Sequence, residues 1–192
     1  MNQQLQTADV DKEQQVRRAL YAHRNGIAAD ALRQAGDPHR FIMGCQLVDL
    51  MNIATQMGKD ISLARKLWGD VNHRECRLIA TMLYPEEQMG QDEALAWCLS
   101  VESIEMADVL CHRLLRHLEF APHLIHQLLS QVEEMMRYVA LRLLLNLLMM
   151  GREDPSQYWR EIVEKESSVS TLSAMRSLLA SLKEELALSY DS

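Results

Sequence analysis

The chain has 192 residues, enough for one domain with a sizeable core, and its 48% hydrophobic and 24% charged content is that of a globular protein. A net charge of −7 argues against a surface that coats nucleic acid generally, and no apolar run reaches membrane-spanning length. The scarcity of Gly (7), Pro (4) and aromatics (5%) beside abundant Leu, Met, Ala, Gln, Glu and Arg argues against a β-rich fold.

In chain order, a polar, Gln-rich segment 1–9 reads as neither a signal peptide nor an anchor, and a first helix is predicted over 9–35. Asp37-Pro38 reads as an N-cap with proline at the first helical position, ahead of a helix over 45–58. Asp60 is placed to cap a helix over 61–69, and another is predicted over 72–84. Pro85, followed by Glu86 and Glu87, opens a helix over 86–99 with acids near its positive end. Ser103 caps 104–118, and a further helix covers 121–131. Asp154-Pro155 opens 155–166, and Ser170 caps 171–188.

The helix over 132–150 has the clearest pattern. Val132, Met135, Met136, Val139, Ala140, Leu143, Leu144 and Leu147 follow the i, i+3, i+4, i+7 rule. Leu141, Leu145 and Met149 cover its other side, so its second half should be buried all round, with neighbours on both faces. The apolar run Val139 to Met150 is too short to span a membrane and contains Arg142 and Asn146. The 12 methionines read as core filler, and the well-separated Cys45, Cys76, Cys98 and Cys111 as reduced core residues of a cytoplasmic protein.

Short helices, two per 30–40 residues, predict an all-α fold of HEAT-like helical repeats: an α-α superhelix, or α-solenoid, forming a single domain over 1–192. A compact helical bundle is the alternative. Residues 153–192 are acidic, with eight acids against four bases.

The stretch from Phe41 to Asp108 carries a family pattern. Gly44-Cys45 with Asp49-Leu50 forms one element, Leu63-Ala64 with Leu67-Trp68 a second, and Glu75 with Arg77 a third. Trp97 and the helix start Ser103-Ile-Glu-Met-Ala-Asp108 follow. In order and spacing this resembles the AlkD-like family of DNA alkylation-repair glycosylases, over about residues 20–150. The resemblance implies a concave face holding duplex DNA with an N-alkylated purine, hydrolytic release of an N3- or N7-alkylpurine, and no metal or organic cofactor. The alkylated base is cationic, so its bond to the sugar is already weak, and a fixed carboxylate would stabilise the positive charge growing on the sugar.

The family's catalytic aspartate falls on Asp108. Ile104 stands where the family places a tryptophan that packs on DNA, and an isoleucine offers no π-face. The family's phosphate-gripping arginine falls nearest Arg137, with Tyr138 in the tighter alignment. A family tryptophan near the C-terminus has no counterpart in 171–188.

Read from the residues themselves, Glu105, Asp108, His112 and Arg116 share one helix face, which a solvated polar face also predicts. Arg65, Lys66, Arg74 and Arg77 cluster around one helical turn, with Arg113 and Arg116 later; phosphate contact and ordinary surface pairing both account for them. Glu75 is expected to engage an arginine of its own repeat. His112, His117, His123 and His126 lack metal-ligand spacing and read as solvated or capping residues. Two functions therefore stand: a divergent repair protein acting on double-stranded DNA, with Asp108 as electrostatic catalyst and Arg137 as phosphate clamp, or a non-catalytic repeat module binding a protein or peptide on its concave face.

Overall fold

Capping side chains, proline and glycine set where the helices begin and end. A computed structural model of the protein describes residues 2–188, with side chains from 12 to 187; Met1, residues 189–192 and the side chains of the polar segment 1–9 lie outside the described residues. Among the described residues the fold is all-α, with eleven α-helices, two short 3-10 turns and an isolated parallel bridge between Phe41 and His73. The helices are α1 (Asn2–Ala22), α2 (Gly26–Gln34), α3 (Leu47–Met57), α4 (Ile61–Trp68), α5 (Arg74–Leu83), α6 (Gln91–Leu99), α7 (Ile104–Arg113), α8 (Ala121–Leu129), α9 (Glu134–Met149), α10 (Gln157–Val169) and α11 (Ser173–Leu188). They divide into two compact units at Met89/Gly90. Within each unit, sequence neighbours pack together (α4 on α5, α8 on α9, α10 on α11), and so do next-but-one helices (α3 on α5, α7 on α9, α9 on α11). That is the contact pattern of stacked helix pairs.

Local chemistry moves several predicted boundaries. The helix expected over 9–35 is two helices, because Asn25 adopts an extended conformation and its side chain accepts the Ala28 N–H at 3.1 Å. Asp37 starts no helix; its carboxylate is taken by the backbone N–H of His39 at 3.0 Å and the His39 ring at 2.7 Å. Pro85 opens only a 3-10 turn (Glu86–Gln88), and α6 begins after Gly90. The helix expected over 104–118 stops at Arg113, and a 3-10 turn (Leu115–His117) follows. Asp60 and Ser103 cap as expected, accepting the N–H of Leu63 at 3.0 Å and of Met106 at 3.2 Å. Ser156 rather than Asp154 caps α10. Ser170 ends α10 instead of capping α11.

In the first unit, α1 is tied to α4 and the turn after it by Lys66–Glu13 at 2.7 Å and Arg17–Asp70 at 2.5 Å. Gly44 has φ +74°, and a Cβ there would sit 2.2 Å from the Asn25 carbonyl oxygen and 2.6 Å from the Ala29 nitrogen. Only glycine fits a chain that close to the start of α2. The buried Glu75 carboxylate receives the N–H groups of Met43 (3.1 Å) and Gly44 (2.8 Å) and the Arg74 guanidinium (2.7 Å). The Arg77 guanidinium lies 4.2 Å from the centre of the Trp68 ring.

In the second unit α9 is the central helix, packed by α6, α7, α8 and α11. Val139, Ala140, Leu141, Leu143, Leu144 and Leu147 are fully buried, so most of its second half is covered, but not all round: Met149, at the helix end, is 67% exposed, and Arg142 is half-buried facing a cleft. Removing one such leucine side chain costs about 2–5 kcal/mol. Val132 departs from the predicted apolar stripe: it lies before the helix and is 87% exposed. The four cysteines are buried and free, and burial pushes the Cys98 thiol up to about 12. Among the described residues no helix is long and apolar enough to cross a membrane.

Candidate active site around Asp108

Asp108 owes its position to two helices of the second unit. Ser103 fixes the start of α7, and Met106, Ala107, Leu110 and Cys111 bury its inner face. Asp108 is left on the flank, with its carboxylate 35% exposed. From α9, the Tyr138 hydroxyl donates to Asp108 Oδ1 at 2.9 Å. One turn further on, Arg142 Nε lies 3.2 Å from the same oxygen. That contact is an ion pair by distance but not an aligned hydrogen bond. The carboxylate is therefore held between a neutral donor and a cation, both standing on the most deeply buried helix of the unit.

These surroundings act on Asp108 in opposite directions. Burial is the largest influence and raises its pKa; Arg142 and then the Tyr138 hydrogen bond oppose it, and Glu105 adds a smaller upward push. The net result is a carboxyl that takes up its proton at higher pH than an ordinary aspartate. Burial and the same carboxylate push the Tyr138 phenol above its ordinary range, so it remains a donor at neutral pH.

A cationic flank continues along α7. Arg116 Nη1 lies 3.0 Å from His112 Nδ1. Burial, with Arg116, Arg113, Arg142 and His117 nearby, lowers the His112 pKa and keeps its imidazole neutral at pH 7. The turn after α7 is fixed from behind, since Arg152 donates to the backbone oxygens of Arg116 and, at 3.0 Å, Leu118. His112, Arg116 and Arg142 line a cleft of about 590 Å³ together with Asn146 and, from α11, Ser181 and Glu184. The Asn146 Nδ2 donor there is buried without a protein partner.

The site residues expected from sequence meet different fates. Asp108 and Tyr138 come together, with Tyr138 only 4% exposed and turned to the carboxylate rather than to solvent. Arg137 does not join them: its Nε donates to Glu166 Oε2 at 3.1 Å, tying α9 to α10. Arg113 and Arg116 are half-buried on the cationic flank, and Ile104 is half-buried one turn before Asp108. Arg74 and Arg77 are 5% and 0% exposed, so they cannot present a phosphate-binding surface; they serve the Glu75 and Trp68 packing instead. Lys66 is paired with Glu13. His126 stacks on Trp159 at 5.2 Å, apart from His112 and its arginine.

Arg142 is the residue that sequence reasoning passed over. A signal for it exists: Tyr138, Arg142 and Asn146 recur every four residues in an otherwise apolar helix, so they form one polar stripe. A family model described as DNA alkylation repair enzyme matches residues 16–164. The chain belongs to that family. Membership assigns it to DNA alkylation repair and points to DNA as its partner. No curated protein and no solved structure matches the chain. The motifs of the first unit that carried the resemblance thereby gain a physical meaning. Gly44, Leu63, Ala64, Leu67, Trp68, Glu75 and Arg77 are scaffold residues that hold the helices of the first unit together.

Proposed function

We propose that this repair protein binds alkylated duplex DNA and releases N3- or N7-alkylpurines, with Asp108 as the electrostatic catalyst. The observation that carries this reading is the Asp108 carboxylate, partly exposed and held by Tyr138 and Arg142. As the bond between sugar and cationic base lengthens, positive charge grows on the sugar and the base leaves neutral. A carboxylate already fixed in place stabilises that charge without reorganising, and water completes the hydrolysis. Tyr138 acts as a positioning residue. Arg142, rather than Arg137, is the arginine that can meet a phosphate beside the carboxylate, with Arg113 and Arg116 along the same helix. Without an aromatic at Ile104, recognition rests on the cation character of the lesion and on backbone contacts.

Base release from methylated duplex DNA, wild type beside Asp108→Asn, tests the proposal. Release by the wild type and its loss in the variant supports it; equal release by both removes Asp108 from the chemistry.

A second reading, a non-catalytic module for a protein partner, is favoured by the burial of Arg74 and Arg77 and by the net charge of −7. Salt separates the two. Duplex binding weakens with a slope near −0.9 per phosphate contacted, whereas an apolar protein contact responds far less.

A further inference from the structure

The first unit contains a cleft of about 670 Å³ at the junction of α1, α2 and the extended segment before α3. Arg24, Arg33, Arg40, Tyr21, Phe41 and His73 supply its polar and aromatic lining, and among the described residues no carboxylate lines it. Two of the three guanidiniums, Arg24 and Arg40, have no acid partner among the described residues, a local reversal in a chain of net charge −7. The third, Arg33, is already satisfied by Asp30 at 2.8 Å and the Ile42 carbonyl oxygen at 3.0 Å, while Asp49 pairs with His23 at 3.2 Å and Asp70 with Arg17 and His73.

The arrangement of the other two arginines is unusual for surface residues. Arg24 lies 3.9 Å over the Tyr21 ring and donates to the Tyr21 carbonyl oxygen at 2.9 Å. The Arg40 guanidinium lies 5.1 Å from the centre of the Phe41 ring. Among the described residues neither makes an ion pair. Both rings are exposed, Tyr21 at 59% and Phe41 at 43%, and Phe41 also stacks on His73 at 4.4 Å with an interplanar angle of 16°. Exposed aromatic rings offer π-faces on which a base can stack, and guanidiniums without a counter-ion attract anions. The same cleft therefore offers flat π and guanidinium surfaces together with positive charge.

We propose that this cleft binds a nucleotide: a base layered on the Tyr21–Arg24 and Phe41–Arg40 pairs, with its phosphate met by Arg24 and Arg40. Stacking between arginine or aromatic planes accepts any base, since every base has a π-face. The volume lies within the roughly 300–1,000 Å³ of small-ligand sites, so one nucleotide fits where a duplex does not. The shared chemistry, a base with an attached phosphate, can come from a free mononucleotide or from an unpaired nucleotide in a single strand.

Calorimetric titration of the full chain with deoxyadenosine monophosphate, deoxyadenosine, inorganic phosphate and a 5′-phosphorylated deoxyadenosine tetranucleotide tests this. Binding of the monophosphate, with the nucleoside and phosphate each at least about 10-fold weaker, is the expected result. A single strand as source predicts that the tetranucleotide binds tighter still, with a salt slope near −0.7 per phosphate. Arg40→Ala and Arg24→Ala should each weaken binding about 5- to 30-fold while leaving the far-ultraviolet dichroism unchanged. Equal binding of phosphate and monophosphate would overturn the stacking, and unchanged affinity in both variants would overturn the site. Because the ligands are unalkylated and hydrolysis is not measured, failure of base release by Asp108 leaves this result untouched, and the converse holds.

Discussion

The Tyr138 hydroxyl donates to Asp108 Oδ1 at 2.9 Å, joining α7 to the central helix of the second unit. A hydrogen bond to the charged form of a carboxyl favours ionisation, and here it offsets part of the burial that raises Asp108. Tyr138→Phe removes that help, so the Asp108 pKa rises further. The acid limb of base release should move to higher pH in Tyr138→Phe, and in Arg142→Gln more than in Tyr138→Phe, since Arg142 has the larger opposing effect. A pH–rate profile under single-turnover conditions reads this; an unmoved acid limb in both variants would show that another group sets it.

Asp108→Asn should separate activity from stability. A carboxyl whose folded pKa is raised costs stability when charged, so removing its charge recovers part of that cost while Arg142 loses its counter-ion. The two effects oppose each other, and the variant is expected to unfold within about 1 kcal/mol of wild type. Base release should fall by about 10²-fold or more, the scale of losing a preorganised electrostatic group. A large loss of stability would make Asp108 structural first.

Arg137 and Arg142 occupy the same helix and should behave in opposite ways. Arg137 bonds the buried Glu166, so Arg137→Ala leaves a carboxylate unpaired and should cost about 2 kcal/mol in urea unfolding, with salt dependence of DNA binding unchanged. Arg142→Ala should reduce the salt slope by about one phosphate.

The contrast between these two arginines shows what sequence could and could not convey. Helix existence was legible because apolar periodicity and caps such as Asp60 and Ser103 act locally. The family pattern singles out Asp108 near a helix start, and the structure brings Tyr138 and Arg142 to its carboxylate. Arg137 was misplaced because one residue of slip turns a side chain by about 100° on a helix, and only the partner helices decide which face meets α7. Arg74 and Arg77 looked like surface charges because nothing in sequence says that Glu75 and Trp68 will cover them.

Gly44→Ala should be severely destabilising. The residue combines φ +74° with a Cβ position 2.2 Å from the Asn25 carbonyl oxygen, and neighbouring backbone cannot move aside as a flexible side chain would. Its N–H also serves the buried Glu75 carboxylate. A loss of more than about 2 kcal/mol is expected in chemical denaturation. Gly90→Ala, with nothing near its Cβ, should change stability by less than about 1 kcal/mol and serves as the control.

Glu134 gives the second unit an acid-sensitive joint. Its carboxylate accepts the Ser170 hydroxyl, the Thr171 N–H at 2.9 Å and hydroxyl at 2.8 Å, and the Leu172 N–H at 2.9 Å, so it gathers the α10–α11 turn onto the start of α9. These donors, the Ser170 hydroxyl foremost, lower its pKa from 4.5 to about 2. A depressed carboxyl contributes stability that is fully present above pH 4.5 and is lost as pH falls toward 2. The group is only partly covered from solvent, so its contribution is nearer the roughly 1 kcal/mol of a helix cap than the full shift implies. Glu134→Gln should therefore lower the melting temperature by about 2–4 °C at pH 7, and the difference from wild type should shrink below pH 4.5 and vanish near pH 2. Thermal melts across pH 2–7 check this; a difference that persists undiminished at pH 2 would mean that the side chain acts through packing rather than through its charge.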